Sequence, residues 1–123
     1  MIFLTVEEII DLHKKLIQTS GGLDGLRDKG LLESAVNGVF ASFDDIERYP
    51  SIKEKAARYA YALTNNHAFV DGNKRIGVFV MLMTLTLNDV KIHYTQQELV
   101  TLGLSIANGS TGYDDILRWI QTH

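Results

Sequence analysis

Apolar side chains recur three or four residues apart along most of this 123-residue chain, which predicts amphipathic helices. The clearest stretches are residues 9–17, 52–63 and 99–106. Each follows a Ser or Thr that has Glu three residues further on, the pattern of a helix-capping box; these residues are Thr5, Ser51 and Thr95. The sequence therefore predicts where three helices begin.

A different pattern covers Ile76 to Leu87, where the apolar run is almost unbroken. A helix that is apolar on every side must be covered on every side, so we predict a central buried helix over Ile76–Asn88. Shorter helices are expected at residues 29–39 and 113–122. The predicted fold class is all-α, a compact bundle of about six helices in a single domain, residues 1–123.

Two segments lack a regular period. Residues 21–28 are rich in glycine but have no phosphate-loop spacing, so we interpret them as a structural turn, in which Arg27 and Asp28 form a local pair and a cap, with contact to a partner as the alternative for Arg27. Residues 40–50 have no clean pattern at all. Loops of this length in compact domains tend to be functional.

Composition and charge exclude some classes of protein. The chain has no cysteine, so it has neither a disulfide nor a thiolate metal site. Its formal net charge is −3, and its Lys and Arg residues are scattered along the sequence. The chain therefore lacks the clustered positive charge expected of a protein that binds nucleic acid directly. We see no signal peptide and no membrane span, so a cytoplasmic protein without membrane contact is expected.

The candidate chemistry lies in residues 67–75, directly ahead of the predicted central helix. This stretch gathers an imidazole, a carboxylate, an amide and two cations around one glycine: His67, Asp71, Gly72, Asn73, Lys74 and Arg75. Free N–H groups at a helix N-terminus attract anions, glycine lets backbone approach a phosphate, and the two cations add full charges. The pattern predicts a phosphate-binding site.

Two further side chains suggest that the bound phosphate reacts. A carboxylate beside a phosphate is repulsive unless a hard cation lies between them, so Asp71 is predicted to be a Mg²⁺ ligand. A neutral imidazole is a common general base, so His67 is predicted to take a proton from an incoming hydroxyl. Phe69 is interpreted as the structural anchor of the segment. His13 is predicted to be a core residue, and His93 and His123 have no spacing typical of metal ligands.

The spacing His67-x-Phe69-x-Asp71-Gly72-Asn73-Lys74-Arg75 resembles the signature loop of Fic (filamentation induced by cAMP) proteins, in the version of the death-on-curing (Doc) toxins. Fic adenylyltransferases typically carry glycine where this chain has Lys74, and a second arginine where it has Val78. Residues 21–28 also resemble the corresponding turn of Doc proteins. The resemblance therefore extends beyond the loop.

The resemblance implies a Fic/Doc fold and a kinase that transfers the γ-phosphate of ATP to a Ser or Thr of elongation factor Tu, with Mg²⁺ as cofactor. Such a protein would be the toxin of a toxin–antitoxin system that arrests translation. His67 would be the general base, Asp71 the metal ligand, and residues 72–75 the phosphate site. The resemblance also implies that residues 40–50, with Phe40 and Phe43, form a flap that docks the target.

The same resemblance bears on control. Self-inhibited Fic proteins carry Ser/Thr-x-x-x-Glu-Gly/Asn, and no stretch of this chain matches that pattern. A separate antitoxin with a disordered segment is therefore expected. Two alternatives to the kinase stay open at this point: a Fic-type adenylyltransferase, and a non-catalytic module that binds a phosphorylated partner.

Overall fold

The computed structural model describes all residues, 1–123, and confirms the all-α class. In chain order the elements are α1 Val6–Ser20, α2 Lys29–Val39, β1 Ser42–Phe43, β2 Ile46–Glu47, α3 Ile52–Asn66, α4 Asn73–Leu87, α5 Gln96–Ala107 and α6 Tyr113–Thr122. No helix combines the length and the apolar character needed to cross a membrane.

The three predicted capping boxes are all formed. Thr5, Ser51 and Thr95 each accept the backbone N–H of the Glu three residues later, and that Glu accepts the N–H of the cap. Asp28 caps α2 through the N–H of Leu31 at 3.1 Å. These local bonds satisfy N–H groups that a helix start leaves free, which is why the sequence located the starts correctly.

α3 and α4 form the middle of the bundle. One apolar cluster joins them to α1 and α2, and a second joins them to α5 and α6. Their close approach depends on Gly77, because a Cβ there would overlap the hydroxyl of Thr64 and lie 3.0 Å from the carbonyl oxygen of Ala60. The backbones of α3 and α4 therefore lie too close together at this position for any side chain larger than that of glycine.

α4 differs from its prediction in two respects. It begins at Asn73 rather than Ile76, because Gly72 takes the left-handed conformation at φ 76° and starts the helix. Its cover is also incomplete: Val78, Phe79 and Leu82 line an open apolar groove beside α5. The prediction that the helix is covered on every side is wrong, since the short α5 shields only part of that face.

The irregular segment before α3 contains a small antiparallel hairpin, residues 42–47, with Phe43 opposite Ile46. Its turn residues Asp44 and Asp45 have φ of 51° and 62°, the backbone that matches the twist of a two-residue hairpin. The ammonium of buried Lys55 holds its base to α3. The hairpin therefore lies at the N-terminal end of α3.

Candidate functional site

The loop between α3 and α4, residues 67–72, runs against residues 25–28. Three backbone hydrogen bonds join the two segments: Arg27 N–H to Ala68 O at 2.8 Å, Asp28 N–H to Ala68 O at 3.0 Å, and Val70 N–H to Gly25 O at 3.0 Å. The pairing fixes the loop from outside, so its conformation does not depend on a ligand. The glycine-rich turn is thus a support for the loop.

Asn73 fixes the loop from inside. Its side chain accepts the N–H of Phe69 at 3.1 Å and donates to the Phe69 carbonyl at 3.0 Å. The sequence predicts Asn73 as part of the phosphate site. In the structure its amide oxygen and one amide N–H are engaged with the Phe69 backbone, and its second amide N–H and its backbone N–H have no protein partner.

His13 of α1 lies directly behind the loop. It is buried, its ring stacks on Phe69 at 3.8 Å between centroids, and its Nε2 lies 2.7 Å from the carbonyl oxygen of Asp71. Its Nδ1 lies 3.9 Å from a carboxylate oxygen of Asp24. The prediction that His13 is a satisfied core residue is confirmed. Phe69, itself buried, is clamped between this ring and the bundle.

The carboxylate of Asp71 accepts two backbone N–H groups, from Leu23 at 3.1 Å and from Gly72 at 2.8 Å. These two hydrogen bonds, assisted by the charge of Arg75 with its Nη2 3.8 Å away, lower the pKa of Asp71 from its ordinary value. The group is therefore ionised at neutral pH. Each oxygen accepts one donor, so lone pairs remain on the side facing solvent.

The donors at Asp71 are few. No group of three or more His, Cys, Asp or Glu side chains is placed to hold a metal ion. Mg²⁺ is commonly held by one or two carboxylates together with water and substrate phosphates. Asp71, ionised and half exposed, fits that kind of site.

The first turn of α4 is left open for an anion. Gly72, the residue before it, makes no side-chain cap, whereas α1, α2, α3 and α5 are all capped by side chains. Free N–H groups with partial positive charge therefore remain there. Lys74 is exposed. Arg75 is held in place by Ser20 Oγ at 2.8 Å and the Gly21 carbonyl at 2.6 Å.

These groups surround one cavity of about 750 Å³. Its lining includes every polar residue predicted for the site: His67, Asp71, Gly72, Asn73, Lys74 and Arg75. His67 ends α3 in the left-handed conformation, φ 52° and ψ 42°, and its side chain is exposed. The exposed imidazole thus shares this cavity with Asp71 and with the two cations at the start of α4.

The structure does not bring Phe40 and Phe43 to this cavity. Phe40 packs against Phe3, and Phe43 is 82% exposed on the hairpin. The 15 residues of α3 separate the hairpin from His67 by about 22 Å, at about 1.5 Å per residue. That residues 40–50 form a flap that docks the target stays a prediction, and neither Phe40 nor Phe43 is among the residues that line the cavity.

Two residues that contact the site lie far from it in the sequence and were not predicted to belong to it. Gly22 is one: a Cβ on it would lie 2.7 Å from both Asp71 Oδ2 and Arg75 Nη2. Arg27 is another, because its guanidinium bonds to the carbonyl of His67 rather than to Asp28. The Gly-Gly pair was a visible signal for close approach, whereas nothing local indicated the partner of Arg27.

The fold and the site together define an all-α protein whose helix–loop–helix junction brings free N–H groups, two cations and a histidine to one cavity. The sequence matches the family model described as "Fic/DOC family" over residues 3–85, and the chain belongs to this family. The predicted family is confirmed.

Two relatives extend the comparison. "Protein kinase doc" of Escherichia phage P1 is 31% identical over 116 residues, which cover 94% of this chain and 90% of that protein. "Toxin Doc" of Mycolicibacterium smegmatis (strain ATCC 700084 / mc(2)155) is 39% identical over 72 residues, or 58% of this chain and 55% of that protein. The similarity to the phage protein thus runs through almost the whole bundle.

Proposed function

We propose that this protein is a Doc-type kinase that transfers the γ-phosphate of ATP to a Ser or Thr hydroxyl of another protein. The observation that supports the proposal is one cavity whose lining includes His67, Asp71 and the first turn of α4. Phosphoryl transfer needs positioned reactants and fixed charge more than covalent chemistry, and this cavity offers both.

In the proposed reaction His67 takes the proton from the acceptor hydroxyl. The hydroxyl oxygen forms a bond to the γ-phosphorus, the bond from that phosphorus to the bridging oxygen breaks, and ADP leaves with the electron pair. The exposed imidazole is accessible to a protein-borne hydroxyl. General-base catalysis of this kind contributes about a hundredfold to ten-thousandfold in rate.

The remaining groups bind and orient the phosphates. The open N–H groups of α4, together with Lys74 and Arg75, face the negative charge of the transferring group, and Arg75 is already held by Ser20 and Gly21. Asp71 is the residue that would hold Mg²⁺, which when bound supplies charge neutralisation between the phosphates. The loop needs no rearrangement, because residues 25–28 and Asn73 hold it already.

The choice of the γ-phosphate rests on Lys74 and on the relative that is named a protein kinase. Lys74 stands where adenylyltransferases of the family typically carry glycine, and its side chain adds a positive charge to the cavity. The phage P1 relative matches the chain over nearly its full length. Adenylyl transfer is the competing outcome of the test below.

We propose further that the protein is the toxin of a toxin–antitoxin pair, with elongation factor Tu as its target. One relative is named a toxin, which supports the class. Phosphorylation of elongation factor Tu would arrest translation. His67 is exposed, and so is Leu23, which lies on the segment that borders Asp71. A folded target can therefore approach this side of the cavity.

The open groove beside α4 fits the proposed antitoxin. It has a volume of about 510 Å³, is lined by apolar side chains of α1, α4 and α5, and ends at Lys74 and Arg75. Val100 and Leu104 on its α5 wall are 46% and 48% exposed. An amphipathic helix with an acidic side chain at one end would cover the apolar surface and neutralise the two cations.

The kinase is tested by incubating purified chain with elongation factor Tu, Mg²⁺ and ATP labelled at either the α or the γ position, followed by intact-mass analysis. We expect the γ label and the mass of one phosphate on elongation factor Tu. Transfer of the α label would identify an adenylyltransferase. Absence of any Mg²⁺-dependent turnover would favour the non-catalytic binding module.

The groove is tested by coexpression with the cognate antitoxin. Leu104→Glu should leave growth arrest intact and abolish neutralisation, because a charge is placed in the apolar contact. Phe43→Glu, an equal change on the distant hairpin, is the control and should still be neutralised. Full neutralisation of the Leu104 variant would contradict the groove assignment.

A further inference from the structure

The guanidinium of Arg27 is bonded to the carbonyl oxygen of His67. Its Nε lies 2.8 Å from that oxygen and its Nη2 lies 2.6 Å away, although the two residues are 40 positions apart in the sequence. Hydrogen bonds from a charged donor are stronger than neutral ones. Two such hydrogen bonds therefore act on the peptide group that joins His67 to Ala68.

This peptide group is at a strained position. His67 ends α3 with φ 52° and ψ 42°, a left-handed conformation that is unfavourable for a non-glycine residue. The structure shows no hydrogen bond to the imidazole itself, so the direction of the ring follows from the backbone that carries it. A group that fixes the His67 carbonyl thereby fixes where the ring points.

Arg27 is itself held firmly enough to do this. Its backbone N–H donates to Ala68 O, and the preceding residue, Leu26, forms a β-bridge with Phe69. Backbone and side chain of Arg27 thus contact consecutive residues of the loop. Arg27 is not among the residues that line the cavity, which excludes a direct contact with substrate phosphates in this conformation.

We propose that Arg27 is a positioning residue for His67, holding the imidazole where it accepts the proton of the acceptor hydroxyl. This inference rests on the proposed role of His67 as general base. Arg27 touches no reacting atom, so its contribution passes through the histidine. Its loss should lower kcat and leave the KM for ATP unchanged, because the phosphate-binding groups lie beyond Gly72.

The test is a double-mutant cycle on the full chain, with phosphate transfer to elongation factor Tu as the readout. Arg27→Met removes the donors but keeps most of the volume, and we expect kcat to fall about tenfold to a hundredfold, as for a misplaced catalytic group. Arg27→Lys retains a single donor and should recover part of that loss. In the His67→Ala background Arg27→Met should cause no further loss.

Arg118→Met is the matched control. Arg118 is exposed on α6 and pairs only with Asp115, so its removal should change neither kcat nor KM. Thermal unfolding of each variant shows that it is folded at the assay temperature. Should Arg27→Met fail this check, Arg27→Lys carries the cycle alone.

Three results would overturn the proposal: an unchanged kcat in the Arg27 variants, a raised KM for ATP in place of a lowered kcat, or an equal loss with and without His67. Failure of the proposed function gives a different result, because the unmodified chain would then transfer no phosphate to elongation factor Tu, or His67→Ala alone would keep full activity. The two failures are therefore distinguishable in the same set of measurements.

Discussion

Each end of α3 carries an irregular segment, the hairpin at one end and the loop of residues 67–72 at the other, and the two are built in opposite ways. At the N-terminal end the hairpin is anchored at its base, and its apolar side chains point to solvent, with Phe43 82% exposed. At the C-terminal end the loop backbone is held by Arg27, His13 and Asn73, and its polar side chains face a cavity.

The difference shows that irregular sequence alone does not identify a functional site. Both segments lack helical periodicity, and sequence analysis predicted a role in target modification for both. Only the loop combines a fixed backbone, free N–H groups and ionised side chains around one cavity. Preorganised charge, rather than exposure, is what stabilises a reacting phosphate.

The largest expected contrast is in activity. His67→Ala should lower phosphate transfer to elongation factor Tu by about a hundredfold to ten-thousandfold without lowering the melting temperature, because it removes an exposed side chain that is the proposed general base. Phe43→Asp, at the other end of α3, should leave transfer unchanged. A large loss of transfer in the Phe43 variant, with nucleotide hydrolysis intact, would instead support the hairpin as a target-docking flap.

A smaller effect, on the free energy of unfolding, should differ between Lys55 and Glu47, the two partners of the ion pair that holds the hairpin. Lys55 is 1% exposed and Glu47 is 49% exposed. Glu47→Ala leaves a buried ammonium without its carboxylate and should cost about 3 kcal/mol of unfolding free energy. Lys55→Met leaves a carboxylate that water can solvate, and should cost about 1 kcal/mol.

Urea denaturation of the two variants measures this difference, and phosphate transfer should be normal in both. An equal cost for the two substitutions would contradict the asymmetry. Loss of transfer in both would show that the two ends of α3 are coupled.

The next effect compares two asparagines at the two ends of α4. Asn73 bonds reciprocally to the backbone of Phe69, and Asn88 bonds reciprocally to the backbone of Ile2. Replacement of either by Ala should cost about 2 kcal/mol, since backbone groups lose their partners. Only Asn73→Ala should also lower phosphate transfer, as measured beside its urea denaturation curve. Equal activity in both variants would show that the loop does not depend on this amide.

The smallest effect is on the pH dependence of stability. Folding lowers the pKa of Asp71, so its carboxylate stabilises the folded state above the unfolded value of about 3.8, and this contribution is lost as pH falls through the lower folded pKa. In Asp71→Asn the melting temperature should therefore fall less steeply below about pH 4. Circular dichroism at a series of pH values gives the melting temperatures. An equally steep fall of the melting temperature in the variant and the original chain would contradict this prediction.

The sequence by itself determined the class of fold, the starts of three helices and the family. The capping boxes at Thr5, Ser51 and Thr95 each involve only four consecutive residues, so they can be identified from the local sequence alone. The spacing of His67 to Arg75 is equally local. The family that it indicated is confirmed over residues 3–85.

Tertiary structure decided what supports the site and what lies away from it. His13, Gly22 and Arg27 reach the loop from 40 or more positions earlier in the chain, through contacts that no local pattern encodes. The open face of α4 and the distance of the hairpin from His67 also follow from how the helices cross. Local hydrogen bonds fix where helices begin, whereas long-range packing fixes which of their ends meet.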